Sequence, residues 1–131
     1  MAKVMGIGGV FVKCADPEAT KAWYMRVLGM SPEDYGGFHF SHSESANAFG
    51  PGGMTVFSGF SEGTDYFDPS PIPVMINLMV DDLDGMLERA EGEGVEQVQA
   101  RQDYKYGRFA WLMAPDGRKL ELWQPPGTPA A

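Results

Sequence analysis

Residues 109–123, FAWLMAPDGRKLELW, decide how this chain folds. Phe109 to Met113 is an apolar and aromatic strand, Pro115-Asp116-Gly117 is a tight turn, and Leu120 to Trp123 is the strand that follows it. Upstream, Val95 to Val98 reads as a further short strand. Before that, Asp82 has the side chain of a helix N-cap, and Leu83, Met86, Leu87 and Ala90 fall on one helical face that ends near Gly92 or Gly94. Val74 to Val80 precedes the cap as a strand. The second half is therefore strand, helix and three strands.

The same order recurs in the first half. Residues 4–14, VMGIGGVFVKC, read as a strand. Asp16-Pro17-Glu18 combines a cap acceptor, a proline at the first helical position and an acid at the positive helix end. Ala19, Ala22, Trp23 and Val27 continue at helical spacing to Gly29, which predicts a helix over 17–28. Phe38 and Phe40 alternate with His39 and Ser41 as a strand, the stretch to Gly53 reads as loop, and Met54 to Ser58 reads as a strand. Gly59 to Pro73 is a connector rich in turn chemistry. At an offset of 66, Val10-Phe11-Val12 falls on Ile76-Asn77-Leu78, Asp16 on Asp82, and Met54 to Phe57 on Leu120 to Trp123. Tyr35 to Phe40 resembles Tyr106 to Trp111 at an offset of 71. An internal repeat follows, one unit over about 1–62 and one over about 72–125, with a frayed tail at 126–131.

Composition bounds the function. The 131 residues suit one domain, and 44% apolar with 21% charged residues excludes a disordered chain. The net charge of −8 makes phosphate backbones and anionic lipid surfaces poor partners. No leader is expected, because 4–12 holds three glycines and runs into Lys13, and no stretch approaches the 18 apolar residues of a membrane helix. The lone Cys14 excludes an internal disulfide and suits a reduced, cytoplasmic compartment.

Two βαβββ units in this length resemble the vicinal oxygen chelate superfamily of glyoxalase I, extradiol dioxygenases and bleomycin-resistance proteins. The segments carrying the resemblance are GGVFVKCADPEATKAWYMRVLGM, MINLMVDDLDGMLERAEGEGV and APDGRKLELWQP, the last similar to the family's DPDGxxxEL ending. The resemblance implies an α+β fold in which two tandem βαβββ modules curl their mixed sheets into a cup. It also implies four metal-ligand positions, which fall on Gly9, Thr55, Met75 and Glu121. Glycine has no donor, methionine is soft and threonine is a poor neutral ligand, so one carboxylate remains where a hard cation needs three or four N/O ligands. The expectation is a protein without metal or other cofactor.

Other chemistry is thinly marked. His39 and His42 are three apart and point to opposite faces of a strand. Cys14 has no CxxC partner and reads as an inert thiol. Gly6-Ile7-Gly8-Gly9 lies within a strand and lacks the GK[ST] of a phosphate loop.

If Gly9 and Glu121 face the cup, period-two alternation sends Phe11, Lys119, Trp123, Met75, Asn77 and Met79 the same way, with Ile76, Leu78 and Val80 packed under the helices. Phe11, Asn77, Arg108, Trp111 and Trp123 are then candidate ligand-binding residues, and Glu121 is the candidate catalytic carboxylate. Arg108 is a candidate to pair with Glu121 or an anionic ligand; its facing and that of Trp111 stay open. The resulting expectation is a protein that binds a small organic molecule in the cup. The alternatives are a lyase, isomerase or dioxygenase of the same superfamily using Glu121 as base or residual ligand, and an interaction module whose cup is filled by its own side chains. A homodimer is expected, since curled sheets with exposed edges need covering.

Overall fold

Asp16 opens the first helix as its side chain predicts: the carboxylate accepts from the Ala19 N–H at 3.1 Å, and Pro17 begins α1, Pro17–Leu28. Gly29 closes it at φ 67°, in the left-handed region, with its N–H bonded to the Tyr24 carbonyl. The computed structural model describes residues 1–128. The remaining elements are α2 (His42–Phe49), a 3-10 turn at Gly50–Gly52, β1 (Ile76–Met79), α3 (Leu83–Gly92), β2 (Gln102–Tyr104), β3 (Gly107–Met113) and β4 (Lys119–Gln124).

The second half forms the strand, helix, three-strand unit in full. Its sheet runs β1-β4-β3-β2, with β1 parallel to β4 and the other two pairs antiparallel. The 115–117 turn joins β3 to β4, and Gly117 adopts φ 86° there. Asp82 caps α3 through the Gly85 N–H at 3.0 Å.

Strand parity sorts the side chains. Ile76, Leu78, Ala110, Leu112, Leu120 and Leu122 pack against Trp23, Val27 and Leu28 of α1 and Leu83 and Ala90 of α3. Leu83, Leu112, Leu120, Leu122 and Val27 are completely buried, each contributing about 1.5–3 kcal/mol of apolar transfer. The helices are tied to one another by Arg89 of α3, which donates to the carbonyls of Arg26 at 3.1 Å and Met25 at 3.3 Å at the end of α1.

The structure departs from the sequence expectations in three places. The stretch after Phe40 is not all loop. Ser41 accepts from the Glu44 N–H at 3.3 Å and starts α2, whose last residue, Phe49, is buried. Val95 to Val98 runs no ladder and contributes Val98 N–H to the Trp111 carbonyl at 3.0 Å; the edge strand is the polar Gln102–Tyr104 instead. In the first half, the segments 4–14, 38–41 and 54–58 are not strands. A strand is stable through its ladder and the face it covers, and these segments find neither within this chain. Phe11 is 97% exposed and Phe57 91%. No described helix is long and apolar enough to cross a membrane.

Candidate functional site

The sheet face turned away from the helices carries Asn77 and Met79 of β1, Lys119, Glu121 and Trp123 of β4, and Phe109, Trp111 and Met113 of β3. The ladder aligns them in rows, because Glu121 is the register partner of both Asn77 and Trp111, and Trp123 of both Met79 and Phe109.

Glu121 is the centre of this face. Its Oε1 accepts from Asn77 Nδ2 at 2.7 Å, and its Oε2 accepts from Trp111 Nε1 at 2.9 Å and from the Tyr66 hydroxyl. Only 8% of Glu121 is exposed. Three donors on one buried carboxylate hold it in place and make it an acceptor. Burial, followed by the hydrogen bond to Glu121, pushes the Tyr66 phenol well above its ordinary range, so it stays protonated as a donor.

Lys119 lies beside this group. Its Nζ donates to the Tyr66 carbonyl at 2.7 Å and Gln99 Oε1 at 2.5 Å, and stands 5.3 Å from the Tyr66 ring centroid and 5.8 Å from that of Trp111. Desolvation lowers its pKa, and the Glu121 charge opposes that shift.

Next to the carboxylate runs a band of rings. Trp111 and Phe109 stack at 6.3 Å, and Phe109 and Trp123 at 6.2 Å. Tyr104 and Tyr106 stack on one another at 4.9 Å and meet Phe109 edge-on. Gly107, at φ 134°, lets the Trp123 indole lie against the backbone, where Nε1 donates to the Tyr106 carbonyl at 2.9 Å.

Of the residues singled out from sequence, Asn77, Trp111, Glu121 and Trp123 therefore share one face. Arg108 does not join them. Its parity on β3 is that of Ala110, toward the helices, and it pairs with Asp84 at 3.4 Å and Asp103 at 3.7 Å in place of Glu121. Phe11 stands in the exposed N-terminal segment, away from the cluster. His39 pairs with Glu33 at 3.1 Å, and His42 begins α2. Tyr66 was missed, along with its neighbours Phe60, stacked on it at 5.5 Å, and Phe67. Three aromatics inside a stretch otherwise made of turn residues were the available signal. A groove of about 560 Å³ lined by Asp84, Glu88, Glu91, Glu96 and Arg101 lies on the helix side and shares no residue with the cluster.

The metal positions implied by the resemblance do not fit an ion here. Gly9 and Thr55 are exposed outside any strand, and the groups converging on Glu121 are an indole N–H, an amide NH₂ and a phenol, all donating. Among the described residues no group of three or more His, Cys, Asp and Glu side chains is placed to hold a metal.

A family model described as a glyoxalase-like domain matches residues 9–123. A search of the curated proteins finds no match. Among solved structures, TnmS3, an antibiotic binding protein from Streptomyces sp. CB03234, is similar at 22% identity over 93% of this chain and 99% of that one, with a TM-score of 0.54. A member of the glyoxalase/bleomycin resistance protein/dioxygenase superfamily from Sphaerobacter thermophilus DSM 20745 matches at 18% identity over 95% and 98%, with a TM-score of 0.52. At such identities the likeness speaks for the fold. A glyoxalase / bleomycin resistance protein from Catenulispora Acidiphila DSM 44928 is 32% identical, but the chain spans about half of its length, with 40% of this chain and 47% of that one aligned at a TM-score of 0.35.

Proposed function

The chain belongs to the glyoxalase-like domain family, and from that premise we propose that it binds a small organic molecule, with a flat apolar body and a polar handle, on the open face of its sheet. One observation carries the reading: a buried carboxylate held by three donors at the end of a band of aromatic rings. Rings offer large contact area and stacking to a planar ligand, while a few fixed polar groups orient it. Glu121 serves as acceptor and anchor, and a ligand N–H or O–H competes with the Tyr66 hydroxyl for it. Small-molecule binding is a use of this fold, since its Streptomyces neighbour is an antibiotic binding protein.

A thermal-shift screen against planar heterocyclic metabolites and antibiotics tests the proposal, with each hit titrated by tryptophan fluorescence. A hit is expected to quench the emission, and Trp123→Ala is expected to weaken it by about 1–3 kcal/mol through lost apolar contact. Glu121→Gln is expected to keep much of the affinity, because the amide retains an acceptor oxygen. Hits whose affinity neither substitution alters would place binding elsewhere and overturn the reading. Turnover of a hit, lost about a hundredfold in Glu121→Gln, would mark an enzyme instead.

A further inference from the structure

We infer that the place filled by the Tyr66 side chain is a binding site for hydroxyaryl compounds, and that Tyr66 is an internal ligand which such a compound displaces. The inference rests on the binding proposed above and names the ligand class that the carboxylate end of the site selects.

Tyr66 is not part of the sheet. It comes from the connector between Gly59 and Pro73, yet its phenol is recognised as a ligand would be. The hydroxyl donates to Glu121 Oε2, and Trp111 meets the ring edge-on at 6.3 Å. Lys119 Nζ stands 5.3 Å from the ring centroid, and Phe60 stacks on the ring at 5.5 Å with the two planes 3° apart. A charged acceptor, a ring edge, a cation over a π face and a stacked ring together suit an electron-rich aromatic alcohol. The side chain of tyrosine is p-cresol joined to the backbone, so the chemistry of the occupant is on display.

Charge excludes the neighbouring classes. An ammonium ligand in this place faces Lys119, and a carboxylate ligand faces Glu121, so each meets a like charge. A neutral ring with one O–H satisfies both groups, giving its π face to the ammonium and its proton to the carboxylate. Asn77 and Trp111 already donate to Glu121 from the sheet. What the carboxylate lacks once Tyr66 turns away is one donor. A ring of the same shape without a hydroxyl leaves that acceptor position unpaired.

Displacing the phenol breaks no backbone bond. The Tyr66 N–H donates to Thr64 Oγ1 at 3.2 Å, and its carbonyl accepts from Lys119 Nζ at 2.7 Å. Further along, the buried Ser70 hydroxyl donates to the Gly117 carbonyl at 2.6 Å. None of these passes through the ring, so the side chain can turn out while the connector keeps its course. The way out leads to solvent, since Tyr66 is half-buried and Phe60 is 51% exposed. A fused ligand in the vacated place reaches on toward Phe109, which stacks on Trp111.

An internal ligand has a distinctive signature. The apparent affinity of a compound is reduced by the fraction of molecules in which Tyr66 still holds the place. Loosening Tyr66 therefore tightens binding, whereas loosening a wall of the site weakens it.

The experiment uses the full chain and two pairs of probes. In Tyr66→Ala, p-cresol replaces the missing side chain and is expected to raise Tm. It is expected to bind about tenfold or more tighter than toluene, which has the ring without the donor. The parent, with its place filled, is expected to bind p-cresol about tenfold or more weakly than the variant does. Equal affinity of the variant for p-cresol and toluene, or p-cresol bound as well by the parent, overturns the inference. Tyr66→Phe keeps the ring but loses the bond to Glu121, and it carries the test where Tyr66→Ala does not fold. It is expected to bind 2-naphthol about tenfold or more tighter than the parent, and to prefer it to naphthalene by a similar factor. Weaker binding of 2-naphthol than in the parent would make Tyr66 a wall of the site and overturn its role as internal ligand. The two proposals fail separately. Selective rescue by p-cresol in Tyr66→Ala, with no planar compound bound by the parent, supports the hydroxyl selectivity and refutes the function built on it. Compounds that bind the parent on the open face, no tighter in Tyr66→Phe and with no preference for a hydroxyl, keep that function and overturn this inference.

Discussion

Trp111 and Glu121 are register partners across β3 and β4, and the indole Nε1 donates to the carboxylate at 2.9 Å with both residues buried. The bond joins two adjacent strands at the middle of the open face, and Asn77 extends it to β1. The site is consequently part of what holds the sheet together, and its substitution has a stability signature as well as a binding one.

Trp111→Phe retains a ring but removes the donor. A hydrogen bond to a charged group is worth about 1.5–3 kcal/mol, and the lost ring volume adds to that cost. Urea unfolding is expected to show a loss of at least this size. Asn77→Ala, at an exposed position, is expected to cost less. Equal effects would mean that the indole bond has no special weight.

The alkaline limb of stability follows from Tyr66. Burial and its bond to Glu121 raise the phenol above the ordinary 10.0. A raised acid binds its proton more tightly in the folded state, so its contribution is complete below pH 10 and is lost as pH climbs toward the folded value. Tyr24, raised to about 12 mainly by burial, adds a fall of the same sign. Lys119 is lowered from 10.5, so its charged form disfavours folding and stability gains as pH rises toward 10.5. Between pH 9 and 11, Tyr66→Phe is therefore expected to lose less Tm than the parent protein, and Lys119→Met to lose more. A Tyr66→Phe profile parallel to the parent's would show that this phenol does not titrate with folding.

Much of the second half was legible because its signals are local. Asp82 caps α3, Pro115-Asp116-Gly117 turns the chain, and the alternation through Lys119 to Trp123 separates the leucines under the helices from the side chains of the open face. Ser41-His42-Ser43-Glu44 has the S-x-x-E spacing of a capping box, and α2 was hidden by reading its polarity as loop. Tyr66 lay beyond local reasoning, since its partner Glu121 is 55 residues away and only the path of the connector brings them together. The first-half segments carry strand composition without a ladder in their own chain, because composition marks a segment that suits a strand and says nothing of whether a pairing partner is at hand.

Arg89 couples the halves. Its guanidinium donates to two carbonyls at the end of α1, groups otherwise left without intrahelical partners, and its charge opposes the negative helix end. Arg89→Ala is expected to cost about 1–2 kcal/mol in urea unfolding. Arg89→Lys keeps the charge but not the fork that reaches both carbonyls, so it is expected to recover only part. Full recovery by lysine would assign the effect to charge alone.

Gly107 tests the band of rings. A Cβ there would lie 2.1 Å from Trp123 Nε1 and 2.7 Å from the Gln124 carbonyl oxygen, at a φ of 134° that side chains rarely adopt. Gly107→Ala must therefore displace the indole, break its bond to Tyr106 and unstack it from Phe109. The expected cost is about 2–4 kcal/mol, from backbone strain and the lost bond together, with a weakened near-UV circular dichroism signal and weaker binding of any ligand that quenches Trp123. Trp123→Phe in the same chain removes the nearer obstruction but leaves the Gln124 carbonyl in place. The double variant is thus expected to fall short of additivity while remaining less stable than Trp123→Phe alone. Strict additivity would show that the alanine and the indole do not meet, and that glycine at 107 serves the turn and not the ring beside it.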